Sequence, residues 1–121
     1  MIKFDKLVGY EVIDSNDTTT TVKLEVNDTH RNLYDYVHGG VYFTLCDVSA
    51  GYQLNQGDDR WVTLNADINY LKAAKEGPLY AVSTVINIGS KVAVMESVVK
   101  DDADTIFAKA TVTMYKVAVS S

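Results

Sequence analysis

A chain of 121 residues, 47% hydrophobic and 22% charged, reads as one compact domain spanning 1–121 with no disordered arm. Its formal net charge of −5, with no cluster of lysine or arginine, argues against duplex DNA or an anionic membrane surface as the main partner. The apolar runs are too short to cross a bilayer, Met1–Lys6 has no signal core, and the lone Cys46 cannot form an internal disulfide, so a cytoplasmic protein is expected.

Alternation of apolar and polar residues sets most of the expected elements. Strands are predicted near Lys6–Ile13 and Thr18–Val26, joined through Asp14–Asp17; within the second, Thr20, Val22, Leu24 and Val26 alternate with Thr21, Lys23 and Glu25. The alternation then stops. From Val41 to Leu54 apolar residues fall at Val41, Leu45, Val48 and Tyr52, and again at Phe43, Cys46, Ala50 and Leu54. Two interleaved stripes predict a helix that is apolar almost all round and buried. Its exception is a narrow face of Gly40, Thr44, Asp47 and Gly51.

After the helix, Val62, Leu64, Ala66, Ile68 and Tyr70 alternate with Thr63, Asn65, Asp67 and Asn69 in a further strand. Gly77-Pro78 separates it from a meander of strands near Leu79–Ile88, Val92–Lys100 and Thr105–Val117, with turns at Gly89-Ser90 and Asp101–Asp104. Six strands cover roughly 25–30 Å at about 4.8 Å each, whereas one helix is about 10 Å across. The sheet must therefore curl around the helix, pair with a second subunit, or do both.

The chemistry concentrates in the run Asn32-Leu33-Tyr34-Asp35-Tyr36-Val37-His38-Gly39-Gly40 and the acid that follows it, Asp47. Glycines opening a helix leave N–H groups uncovered at the positive end of its dipole, where anions and developing oxyanions are stabilised. A carboxylate two turns on, in a helix with almost no other charge, has the chemistry of a base that activates water. Seven helical residues are about 10 Å long, too far for both groups of one helix to serve one carbonyl. Composite sites across a dimer, with Asp47 of one subunit facing Gly39 of another, resolve the distance.

Read as N-x5-H-G-G-x7-D, Asn32–Asp47 resembles the hotdog-fold acyl-CoA thioesterases, in particular the phenylacetic-acid-degradation (PaaI-like) group. The order of two strands, a central helix and four strands fits over essentially the whole chain. The resemblance implies an α+β hotdog fold, a six-stranded and mainly antiparallel sheet curled around one helix, in a homodimer or dimer of dimers. It implies that Gly39 polarises a thioester carbonyl and that Asp47 acts as general base or nucleophile. Asn32 would hold the carbonyl or its loop, and Thr63 would position the water. His38 would be more a structural residue of the turn than the base. Many relatives carry a glycine three residues before the histidine, where this chain has Asp35.

Coenzyme A would enter as part of the substrate, with no other cofactor and no metal. Its phosphates call for a local basic rim, for which Lys91 beside Ser90 is the first candidate, followed by Lys72, Lys75 and Arg60; Gly40 and Ser90 complete the substrate-binding set. Two rival readings share the fold: a hydratase or dehydratase, which would want a histidine at the reacting carbons, and a non-catalytic acyl-CoA-binding module. Cys46 reads as a core residue, His30 as an exposed loop residue, and Asp101-Asp102-Asp104 as a solvated hairpin turn. Tyr34, Tyr36, Tyr42 and Tyr52 surround the motif, as lining of an acyl pocket suited to aromatic or medium-length groups or as packing.

Overall fold

The computed structural model describes residues 2–117. Its elements are α1 (Phe4–Val8), β1 (Glu11–Ser15), β2 (Thr19–Leu24), a 3-10 turn (Asp28–His30), α2 (Gly39–Leu54), β3 (Arg60–Tyr70), β4 (Leu79–Ile88), β5 (Val92–Lys100) and β6 (Ile106–Val117). All strand pairs are antiparallel, in the order β1-β2-β4-β5-β6-β3. The sheet curls so far that α2 touches β2, β3, β4, β5 and β6. This is the hotdog arrangement, and β3 is one of its two edges.

The core is the concave side. Val22 and Leu24 of β2, Leu79 and Ala81 of β4, Met95 and Val99 of β5, and Val112 and Met114 of β6 close on Leu45, Cys46 and Ala50 of α2. Small residues in the middle strands let the helix lie close to the sheet. Two of them are serines that meet a serine of the helix: Ser49 of α2 is 2.6 Å from Ser83 of β4, which in turn pairs with Ser97 of β5. Their spare capacity goes to the Leu45 and Cys46 carbonyls, so among the described residues no buried hydroxyl lacks a partner.

Several expectations are corrected. Lys6–Ile13 is not one strand. Phe4, Leu7 and Val8 stand at i, i+3 and i+4, a helical spacing, and Gly9 at φ 85° ends that helix in the left-handed conformation before β1 begins. The central helix is also not buried all round. The sheet covers its Tyr42–Cys46–Ser49–Gln53 side, while Phe43 and Tyr52 remain exposed on the side the single chain leaves open. His30 is buried rather than exposed. Its Nδ1 accepts from the Asn27 N–H at 3.0 Å, which places the proton on Nε2, 2.7 Å from the Val8 carbonyl it donates to.

The most consequential correction concerns β3. Pairing with β6 matches Thr63 to Met114 but Asn65 to Thr113, so Leu64 is an extra, bulged residue. Strict alternation would set Thr63 opposite to Ala66, Ile68 and Tyr70. Across the bulge they share the face that looks at α2, along with Trp61, while Val62 and Asn65 face away.

Candidate active site

Two glycines and a histidine build the start of α2. His38 is its N-cap: its Nδ1 accepts from the Gly40 N–H at 2.8 Å, and its carbonyl accepts from Val41 at 2.9 Å. His38 is therefore a helix-entry residue with one ring nitrogen committed to the backbone. The N–H of Gly40 is consumed by that cap, so the substrate-binding role expected of Gly40 cannot run through its amide. Gly39 is different. Its N–H donates to no described residue, and it lies at the positive end of the helix.

The loop before the helix is held by Asn32. Its Oδ1 accepts from the N–H groups of Tyr34 at 2.9 Å and Tyr36 at 3.2 Å, and its own N–H donates to the Tyr36 carbonyl. Asp35 adopts φ 67°, the left-handed conformation a glycine would supply there. Val37 and Tyr42 are pinned by one residue, Ala74: its carbonyl accepts from Val37, and its N–H donates to the Tyr42 hydroxyl at 2.9 Å. Burial pushes the Tyr42 hydroxyl pKa up, with that backbone hydrogen bond partly offsetting it.

A cavity of about 400 Å³ opens beside Gly39, and Asn32, Tyr36, Tyr70 and Lys72 are among its walls. Tyr70 presses on Gly39: a Cβ there would stand 3.2 Å from its ring, so the position is a glycine for close approach.

Asp47 sits elsewhere. With Thr63, Tyr52 and Trp61 it lines a second cavity of about 410 Å³. Thr63 Oγ1 donates to Asp47 Oδ1 at 2.5 Å, while Oδ2 accepts no hydrogen bond among the described residues. The contact depends on Asn55, the C-cap of α2, whose side chain takes the Trp61 N–H at 2.8 Å and donates to the Trp61 carbonyl at 3.0 Å. This splice sets β3 against the end of the helix, and Thr63 follows Trp61 on the same face.

The structure thus brings Asn32 to Gly39 and Thr63 to Asp47, in two cavities at different levels of α2. Ser90 and Lys91 lie exposed in the β4–β5 turn and line neither. Lys72 is the cation beside Gly39; Lys75 instead lies 5.1 Å over the ring of Tyr36, and Arg60 is exposed at the start of β3. Cys46 neighbours Asp47 in sequence but is buried, its thiol pushed up to about 12 by desolvation and then by the Asp47 charge. It is no nucleophile. Sequence reasoning missed Tyr70 as a site residue, since it reads only as the last member of an alternating strand.

Among known proteins, the Thioesterase superfamily model matches residues 34–108. A protein of Archaeoglobus fulgidus named "Putative esterase" is 31% identical, over 97% of this chain and 79% of its own. The Streptococcus pneumoniae TIGR4 structure described as "Hypothetical Thioesterase Protein with Coenzyme A" is 32% identical with a TM-score of 0.86, covering 93% of this chain and 89% of that one. The PaaI protein from the Escherichia coli phenylacetic acid degradation operon superposes with a TM-score of 0.90 over 96% of this chain and 85% of that one; at 20% identity this likeness speaks for the fold.

Proposed function

Because the chain belongs to the Thioesterase superfamily and is a thioester hydrolase with the hotdog fold, we propose that its substrate is an acyl-CoA with an aromatic or medium-length acyl group. We place its active sites between two copies of the chain. The observation that carries this reading is the pairing of an uncommitted Gly39 N–H with a hydrogen-bonded Asp47 carboxylate on one helix, in separate cavities. Neither cavity alone holds both the donor and the base, and a second subunit can supply the missing half to each.

In the mechanism, Gly39 N–H donates a hydrogen bond to the thioester carbonyl oxygen as negative charge builds on it. Asp47, oriented by Thr63, takes one proton from water as the oxygen attacks the carbonyl carbon. The tetrahedral oxyanion collapses, the C–S bond breaks, and the thiolate recovers the proton from Asp47. The products are the carboxylic acid and free coenzyme A, and no cofactor enters. Lys72 is the cation next to the carbonyl cavity and serves as the basic rim for the phosphorylated carrier.

Dimerisation would use β3. The strand is 11 residues long with one edge unpaired, and Val62, Leu64 and Tyr70 on it are exposed, as are Phe43 and Tyr52 of α2. An open edge flanked by apolar side chains is stabilised by pairing with a second copy. A cytoplasmic location fits a lone buried thiol; among the described residues no helix is long and apolar enough to cross a membrane.

The test is thiol release from aromatic, short and medium-chain acyl-CoAs by wild type, Asp47→Ala and a mixture of subunits. Asp47→Ala and Gly39→Val homodimers should each lose activity. Their mixture should regain about a quarter of wild-type activity, because half the dimers then carry one intact composite site. No regain on mixing would place Gly39 and Asp47 of one chain in the same site. Absence of turnover by wild type, with acyl-CoA still bound, would point to a binding module.

A further inference from the structure

We propose that the Tyr70 hydroxyl is a second hydrogen-bond donor to the carbonyl oxygen held by Gly39, an inference that rests on the thioesterase reading. In an α-helix the Cα–Cβ bond tilts toward the N-terminus, the direction in which the first N–H groups point. The place a Cβ would occupy at Gly39 is therefore beside its free N–H. Tyr70 fills that side: its Cε1, Cζ and hydroxyl oxygen lie 3.2, 3.5 and 3.7 Å from the Cβ position.

Three further observations fit a donor held ready. The Tyr70 hydroxyl has no hydrogen-bond partner among the described residues, whereas that of Tyr42 is occupied by Ala74. The Tyr70 ring is held by Tyr42, with centroids 6.1 Å apart at an interplanar angle of 47°. Its backbone is anchored by the end of the β3–β6 ladder, where Leu71 and Lys72 both donate to the Phe107 carbonyl. An oxygen entering the shared cavity would meet the Gly39 N–H and the Tyr70 O–H from two directions. During attack the C=O electron pair moves onto that oxygen; Tyr70 donates a hydrogen bond to it and keeps its proton.

Tyr70→Phe removes the hydroxyl and keeps the ring against Gly39. On the best acyl-CoA substrate kcat should fall about tenfold or more, with KM within about twofold. An unchanged kcat would overturn the proposal. Binding provides an independent readout, using S-(2-oxopropyl)-CoA, which carries a carbonyl, against S-propyl-CoA, which does not. Wild type should prefer the carbonyl compound, and Tyr70→Phe should cut that preference about fivefold; an identical preference in both proteins would again overturn it. Absence of turnover by wild type would sink the thioesterase reading alone, and the affinity ratio would still decide the role of Tyr70.

Discussion

Thr63 on β3 and Asp47 on α2 meet through one 2.5 Å hydrogen bond, although 16 residues separate them and neither belongs to the buried core. The donor holds one carboxylate oxygen and leaves the other free to accept from water. A hydrogen bond to a charged group contributes about 1.5–3 kcal/mol. Thr63→Val should therefore lower kcat by roughly 10- to 100-fold without a matching rise in KM. Asp47→Asn keeps an oxygen for Thr63 but removes the carboxylate proposed as the base, and its kcat should fall at least about a hundredfold. Stopped-flow thiol release distinguishes the two.

Gly39 tests the opposite cavity. A methyl group there would press on Tyr70 at 3.2 Å, and the ring must move for it to fit. Gly39→Ala should reduce kcat/KM about tenfold in wild type and less in a Tyr70→Ala background, where the space is open. A double-mutant cycle on kcat/KM measures the coupling, and strict additivity would mean that the ring and the helix start act separately.

Cys46 carries a pH prediction. Its folded pKa is raised from 9.0 to about 12, so folding favours the protonated thiol. That contribution is complete below pH 9 and is lost as pH rises toward 12, at up to about 1.4 kcal/mol per pH unit. Urea denaturation across this range should show falling stability in wild type and a shallower alkaline decline in Cys46→Ala. At pH 8 the native thiol should resist a disulfide reagent that labels it at once after unfolding.

A buried amide offers a stability test away from the chemistry. Thr20 donates to Gln53 Oε1 at 2.6 Å, and Gln53 Nε2 donates to the Asn16 carbonyl at 3.0 Å, tying the end of α2 to the β1–β2 hairpin. Thr20→Val is nearly isosteric but leaves the Gln53 oxygen buried without that donor. It should cost about 1–3 kcal/mol in urea denaturation and leave kcat unchanged.

Much of this was legible in the sequence. The β4 and β5 boundaries follow directly from alternation and their turns, and the helix from two apolar stripes. The motif singled out Gly39 and Asp47 as candidates because helix openings and lone helix acids have recognisable chemistry, and Asn32 because it stands in the loop that leads to the helix. What escaped depends on long-range partners. His30 is buried with both ring nitrogens partnered, one of them by the Val8 carbonyl 22 residues away. The orientation of Thr63 was hidden because β3 is an edge whose apolar residues are largely uncovered by their own chain, so their spacing does not report which face looks inward. Tyr70 escaped because its significance lies in what it leaves no room for at Gly39.

The bulge at Leu64 makes one residue of β3 supernumerary, because the pairs on either side of it, Thr63 with Met114 and Asn65 with Thr113, are already consecutive on β6. Substitutions at Leu64 should be tolerated widely, and deleting it would close the ladder into regular alternation with Thr63 and Trp61 still facing α2 and β6 still in register. In lineages carrying this fold, the first strand after the helix should therefore be able to lose one residue at this point without carrying Thr63 across the sheet.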